Sequence, residues 1–235
     1  MELALTALAI ASGLAFACFL AYIGLPALAK IRLRRRFLDR VRRRAEVFLT
    51  FDDGPDEVHT PRILDILDAA RVKATFFLCG AHAERHPDIV RRIIAAGHSI
   101  GEHGHAHLHP WTTGPRRTLR DLRRAAETLT RLGAPPGRRL FRPPYGKLNL
   151  MTLLFIAATR RAVVFWNVDP RDYAQAEPGP VIEAVMPKLV PGAVVLLHDG
   201  RPDDGAGAAS VTAEALEMLL ARVDRTRLRF AGIDN

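Results

Sequence analysis

The chain has 235 residues, 49% apolar and 25% charged, enough for one large core rather than several small ones. Its two cysteines, Cys18 in an apolar run and Cys79 in a strand-like one, exclude a disulfide framework and a thiolate zinc cluster. The net charge of +9 is no argument for nucleic acid, because residues 1–44 hold nine Lys/Arg against Glu2 and Asp39, a net +7, leaving +2 for the rest.

Leu3 to Ala29 carries no charged residue across 27 positions. As a helix this stretch reaches roughly 40 Å, against a hydrocarbon core of about 30 Å, which predicts a tilted transmembrane helix over 1–29. A basic juxtamembrane segment follows over 30–44, from Lys30 and Arg32 to Arg42, Arg43 and Arg44, whereas the other flank offers only Met1 and Glu2. The positive-inside rule then places a single-pass protein at the cytoplasmic membrane with its globular part in the cytoplasm. A secretory signal is the competing reading, since Ala27-Leu-Ala29 has the small-x-small form of a cleavage site, and it would put the globular part outside. Anionic head groups explain the basic collar, so the membrane is an expected partner and nucleic acid is not.

From residue 45 to 235, β-rich apolar runs alternate with helical patterns in the manner of parallel strands covered by helices. Strands are expected near 46–51, 73–79, 98–102, 139–142, 162–168, 193–198 and 227–231. Helices are expected over 61–70, capped by Thr60, and over 87–96, 115–132, 150–160, 181–189 and 212–223. The Gly/Ala-rich stretch Gly205 to Ser210 reads as a surface loop. The count approaches a barrel, in which chemistry sits on the loops after the strands.

Five polar clusters fall at such strand exits. The first strand delivers Asp52 and Asp53 to a Gly-Pro turn, two like charges whose roles a cation or a proton must separate. The third strand leads into Gly101-Glu-His-Gly-His-Ala-His-Leu-His109, where His103 and His107 are four apart and suit two ligands on one face of a turn. His105 and His109 read as loop residues. Arg142, Pro143, Pro144 and Tyr145 form a stiff segment able to hold a guanidinium against a carboxylate. The segment Trp166 to Tyr173 supplies Asp169 and Asp172, and the strand Ala193 to Leu197 ends in His198.

These motifs, in this order, resemble the polysaccharide deacetylases of the NodB-homology type, carbohydrate esterase family 4, over roughly Glu46 to the C-terminus. The resemblance implies an α/β fold, a distorted (β/α)7-type barrel, and a divalent metal, zinc above all, with cobalt, nickel or manganese as options. It implies removal of N-acetyl groups from N-acetylated sugars, with a glycan or glycolipid as the partner substrate. Carried over, Asp53, His103 and His107 are metal ligands, Asp52 is the general base and Arg142 orients it. The backbone N–H of Tyr145 meets the oxyanion, and His198 is the general acid. Asp172 is the motif-matched partner that keeps His198 protonated, and Asp169, three residues away, can share that role. Pro143, Pro144 and Tyr173 border the substrate.

The chain departs from the family pattern at Gly104, where a serine or threonine is common, at Tyr173, where tryptophan is usual, and at Glu102, where asparagine is frequent. The changes at 102 and 173 are expected to reshape the sugar groove. A cytoplasm-facing site favours a lipid-linked amino sugar, whereas a cleaved signal favours a wall polymer. The alternatives are a membrane-anchored glycan-binding protein without turnover, or a deacylase of another small acyl group such as formyl.

Overall fold

The computed structural model describes residues 1–135, 139–200, 208–224 and 226–233. Among the described residues seven strands form, all parallel: β1 (Glu46–Asp52), β2 (Thr75–Leu78), β3 (Ser99–Glu102), β4 (Leu140–Phe141), β5 (Ala162–Val163), β6 (Val194–His198) and β7 (Arg229–Phe230). Their order is β5-β4-β3-β2-β1-β6, and β7 pairs with the first residues of β1. The fifth strand is shorter than expected, because β4 offers it only two residues to pair with. Beyond it, Val168 bridges to Val195 and accepts from the Leu196 N–H, which brings the two ends of the curled sheet together. This is the expected distorted (β/α) barrel.

Alternation along β1 sorts its side chains. Val47, Leu49 and Phe51 pack outward among covering helices, and Phe48 packs inward with Phe77, Leu140 and Val194. Both faces are covered, so the strand is apolar almost throughout, as parallel sheets require.

The longest helix, α1, runs Glu2–Val41 with a π-helical turn at Leu20–Gly24. The others are α2 (His59–Ala69), α3 (Gly80–Arg85), α4 (Pro87–Ala95), α5 (Pro115–Arg131), α6 (Leu150–Thr159), α7 (Pro178–Val185) and α8 (Ala208–Arg222). The helix α3 was not expected, being only six residues long. Thr60 is not a cap: α2 starts one residue earlier, and Asp56 Oδ1 accepts the N–H groups of Val58 and His59. Of the expected loop at 205–210, residues 205–207 lie outside the described residues, and the last three open α8.

The C-terminal half of α1 belongs to the barrel packing. Phe37, Leu38 and Val41 are buried against Phe48, Leu140, Phe165 and Val194, worth about 1.5–3 kcal/mol for each side chain. Gly192, at φ +84°, lets the helix end approach: a Cβ there would stand 2.8 Å from the Arg42 Cα. Val41 therefore sits where the strands begin. At the other end the Tyr22 hydroxyl donates to the Thr113 carbonyl at 2.8 Å and accepts from Asn149 Nδ2 at 3.0 Å, on loops that follow β3 and β4. The helix thus runs antiparallel to the strands, and none of the residues from Glu2 to Phe19 is buried.

Candidate active site

Asp52, Asp53, His103, Arg142 and His198 all emerge where strands end, on the face toward which Tyr22 points. Asp52 closes β1 on the inward-facing register. Its Oδ1 accepts from Arg142 Nη1 at 2.7 Å, and the same nitrogen donates to Thr50 Oγ1 at 2.8 Å. The guanidinium is fully buried, 4.1 Å over the Phe77 ring. Burial lowers the Arg142 pKa, and the adjacent Asp52 charge works against that shift.

Asp53 follows with φ +73°, which turns its carboxylate away from that of its neighbour. Its Oδ1 lies 3.3 Å from His103 Nε2 and 3.2 Å from His107 Nε2, and it has no hydrogen-bond partner. His103 Nδ1 sits 2.8 Å from the Arg142 carbonyl, which can only accept, so Nδ1 bears the proton and Nε2 is left for the centre. The three ligand atoms lie within 4.8 Å of one another. A lone pair facing a buried, unpartnered carboxylate oxygen is repulsive unless a positive charge sits between them. Two histidines and one carboxylate fit a divalent cation with open positions.

The local electrostatics agree with that fit. Burial pushes the Asp53 carboxyl up, but the adjacent His103, with His107 and His198 around it, outweighs that and brings the pKa to about 2. Burial lowers His103, yet Asp52 and Asp53 together raise it overall, so this point favours positive charge. His107 is lowered to about 4 by burial and by His103, and is a neutral imidazole at pH 7.

Across the cavity, Asp172 is fully buried and accepts from three donors: His198 Nδ1 at 2.8 Å, the His198 backbone N–H at 2.7 Å and Thr212 Oγ1 at 2.6 Å. Burial alone lowers the His198 pKa, and the Asp172 charge and hydrogen bond reverse this, pushing it up to about 9. Asp169 does not share this arrangement. Its Oδ1 accepts from the Arg171 N–H at 2.9 Å and its side chain is exposed on the cavity wall.

The cavity between these groups measures about 570 Å³, in the range of small-ligand sites. Tyr145 stands half exposed over it with its ring 4.5 Å from that of His107, and Tyr173 meets His198 edge-on at 5.2 Å. Pro143 and Pro144 are buried beneath the turn that carries Tyr145, whose φ is +57°. Leu196 and Trp166 add apolar wall.

Several supporting residues escaped the sequence reading. His82, in α3, has Nδ1 2.7 Å from the Asp53 carbonyl and so holds the strained residue in place. It lies four residues beyond the end of β2, where a lone histidine forms no motif. Asp121, on α5, accepts the N–H groups of His105 and Ala106 at 2.9 and 2.8 Å. This explains Gly104: at φ +77°, a Cβ there would stand 3.0 Å from Asp121 Oδ2. Glu102 does not border the cavity, contrary to the expectation; it is buried beside Arg161 at 2.9 Å and Arg139 at 3.5 Å. His105 is packed beside Gly80 and Glu84, away from the cavity.

A family model described as polysaccharide deacetylase matches residues 39–161. The chitooligosaccharide deacetylase of Sinorhizobium fredii is 40% identical over 159 residues, 67% of this chain and 74% of that protein. Among solved structures, a peptidoglycan N-acetylglucosamine deacetylase in complex with 4-naphthalen-1-yl-N-oxidanyl-benzamide matches with TM-score 0.73 and 34% identity, covering 81% of this chain and 86% of the other. A family 4 carbohydrate esterase from Streptomyces lividans, in complex with acetate, matches with TM-score 0.70 and 29% identity, covering 81% and 93%.

Proposed function

Because this chain belongs to the polysaccharide deacetylase family, we propose that it is a metal-dependent hydrolase that removes N-acetyl groups from an N-acetylated glycan at a membrane surface. One observation carries the reading: two adjacent carboxylates are separated into two jobs, with Asp52 Oδ1 on the Arg142 guanidinium and Asp53 Oδ1 between two imidazoles. Asp53, His103 and His107 would hold the ion, zinc best matching a two-histidine, one-carboxylate set. A divalent ion at that point supplies Lewis acidity, acidifying water and polarising an acetamide carbonyl.

The chain's own groups do the proton work. Asp52, paired with and aimed by Arg142, takes the proton of the attacking water, and His198, held as imidazolium by Asp172, gives one to the departing sugar nitrogen. Each transfer is worth about 10²–10⁴ in rate. The family pattern adds the Tyr145 backbone N–H as a donor to the developing oxyanion. Pro143 and Pro144 fix the turn that presents it, and Tyr173 forms the rim beside His198. Asp169 at the cavity wall is placed to meet substrate rather than to orient the imidazole.

The N-terminal helix is a retained anchor in this reading: of the apolar segment 1–29, the part before Tyr22 spans, and from Tyr22 onward the helix packs on the barrel. Tyr22 and Pro26 are tied into the barrel, so cleavage after Ala29 would strip contacts that the folded protein makes. The basic residues after the span orient the barrel toward the cytoplasm.

The test is acetate release from N-acetylated chitooligosaccharides by the full-length, zinc-loaded protein in detergent. Turnover abolished in Asp52→Ala, with an unchanged melting temperature, is the expected result. A folded, metal-loaded protein that releases no acetate overturns the reading.

A further inference from the structure

The anchor helix and the cavity meet along one edge, and that edge is cationic. Arg34 Nη2, on α1, donates to the Trp166 carbonyl at 3.1 Å, and Trp166 lines the cavity. Lys147, also a lining residue, is pinned by His109 Nε2 at 3.0 Å and by the Trp111 ring, 4.5 Å from its Nζ. Lys30 lies one helical turn before Arg34 on the same helix, and its pKa is lowered by burial first and then by the charges of Arg34 and Lys147. Among the described residues none of the three pairs with a carboxylate.

Three positive charges gathered without a counter-ion favour an anion brought from outside. The helix direction says where it comes from. Tyr22 is level with the loops around the cavity mouth, and the helix N-terminal to it is about 30 Å long, the thickness of a hydrocarbon core. The mouth therefore opens toward the membrane interface, and Lys30 and Arg34 follow Tyr22 on the same helix by about 12 and 18 Å along its axis, beside the cavity wall. A lipid-linked glycan that enters the cavity from that interface carries its phosphate along this edge.

We propose that Lys30, Arg34 and Lys147 form a subsite for the phosphate of a lipid-linked N-acetylated sugar, placed so that the sugar reaches Asp52 and His198 while its lipid stays in the bilayer. This rests on the deacetylase reading and names its substrate class. The subsite is distinct from the Asp53, His103 and His107 centre, and it selects the carrier rather than the acetyl group.

The experiment compares two substrates with the same prenyl tail, N-acetylglucosamine joined through a diphosphate and N-acetylglucosamine joined as a simple glycoside. Both are given to the full-length protein in non-ionic micelles. The wild type is expected to prefer the diphosphate by about tenfold or more in kcat/KM, as charge-assisted contacts predict. Lys30→Met/Arg34→Met is expected to remove most of that preference through KM. Lys147→Gln, which leaves the helix contacts alone, lowers it in the same direction. An unchanged ratio overturns the subsite, including the case in which the double variant loses only its binding to vesicles containing phosphatidylglycerol, since the cations then read bulk head groups. If neither substrate loses acetate, the deacetylase reading falls. Equilibrium binding of the two lipids then decides the subsite, equal affinity overturning it.

Discussion

Arg142 Nη1 lies 2.7 Å from Asp52 Oδ1, and the whole arginine side chain is sealed from water between Phe77 and Trp166. A buried pair of this kind is fragile to the loss of either partner. Arg142→Leu leaves the buried Asp52 carboxyl without its guanidinium, and is expected to cost about 3–5 kcal/mol of stability as well as activity. Asp52→Asn keeps an acceptor for the guanidinium, so it should fold with a near-native melting temperature while acetate release falls by about 10²-fold or more. Equal thermal losses in the two variants would show that the arginine is not specifically holding the base.

The His198–Asp172 pair makes a prediction about pH. The folded-state pKa of His198 is about 9 against an ordinary 6.5, so the stabilisation it brings is complete below pH 6.5 and is lost as the pH rises through 9. Melting temperature should therefore decline across that window in the wild type and decline less in His198→Gln. For turnover, the imidazolium survives to about pH 9, which sets the alkaline limb of the pH–rate profile. Asp172→Asn should move that limb toward neutrality by at least about one unit, and a stationary limb would remove His198 from the role of acid.

Metal content offers an independent check. Purified protein should bind one divalent ion per chain by elemental analysis, and His107→Ala or Asp53→Ala should abolish it. His82→Ala removes the ring that meets the Asp53 carbonyl, so it should weaken metal affinity by about 10–100-fold without unfolding the barrel. Unaltered affinity in His82→Ala would mean that the left-handed turn at Asp53 holds itself.

The anchor predicts an intact N-terminus. Protein extracted from membranes should have the mass of the uncleaved chain, and a C-terminal reporter should be active only when it requires the cytoplasm. Loss of residues 1–29 would turn the segment into a signal.

Much of the site was legible because its residues cluster in short motifs, each at the end of a β-rich run. Asp52 and Asp53, His103 and His107, and His198 needed no knowledge of long-range contacts to be singled out. The choice between Asp169 and Asp172 did need it: both lie three residues apart in one turn, and only the return of β6 decides which carboxylate meets an imidazole 26 positions away. His82 and Asp121 were missed for a related reason, since a lone histidine in a six-residue helix and a single acid in a 17-residue helix carry no local pattern.

The sequence by itself determined the fold class, the ordered motifs and an apolar segment of membrane length, because periodicity, composition and strand-end chemistry are local properties of a chain. Only the tertiary structure decided how those parts face one another. It sent Asp52 and Asp53 to different partners through a backbone turn at φ +73°, and turned Glu102 away from the groove toward two arginines. It also ran the N-terminal helix antiparallel to the barrel strands, so that the cavity opens on the side from which the apolar segment projects. Those relations rest on contacts between residues far apart in the chain, which no spacing encodes.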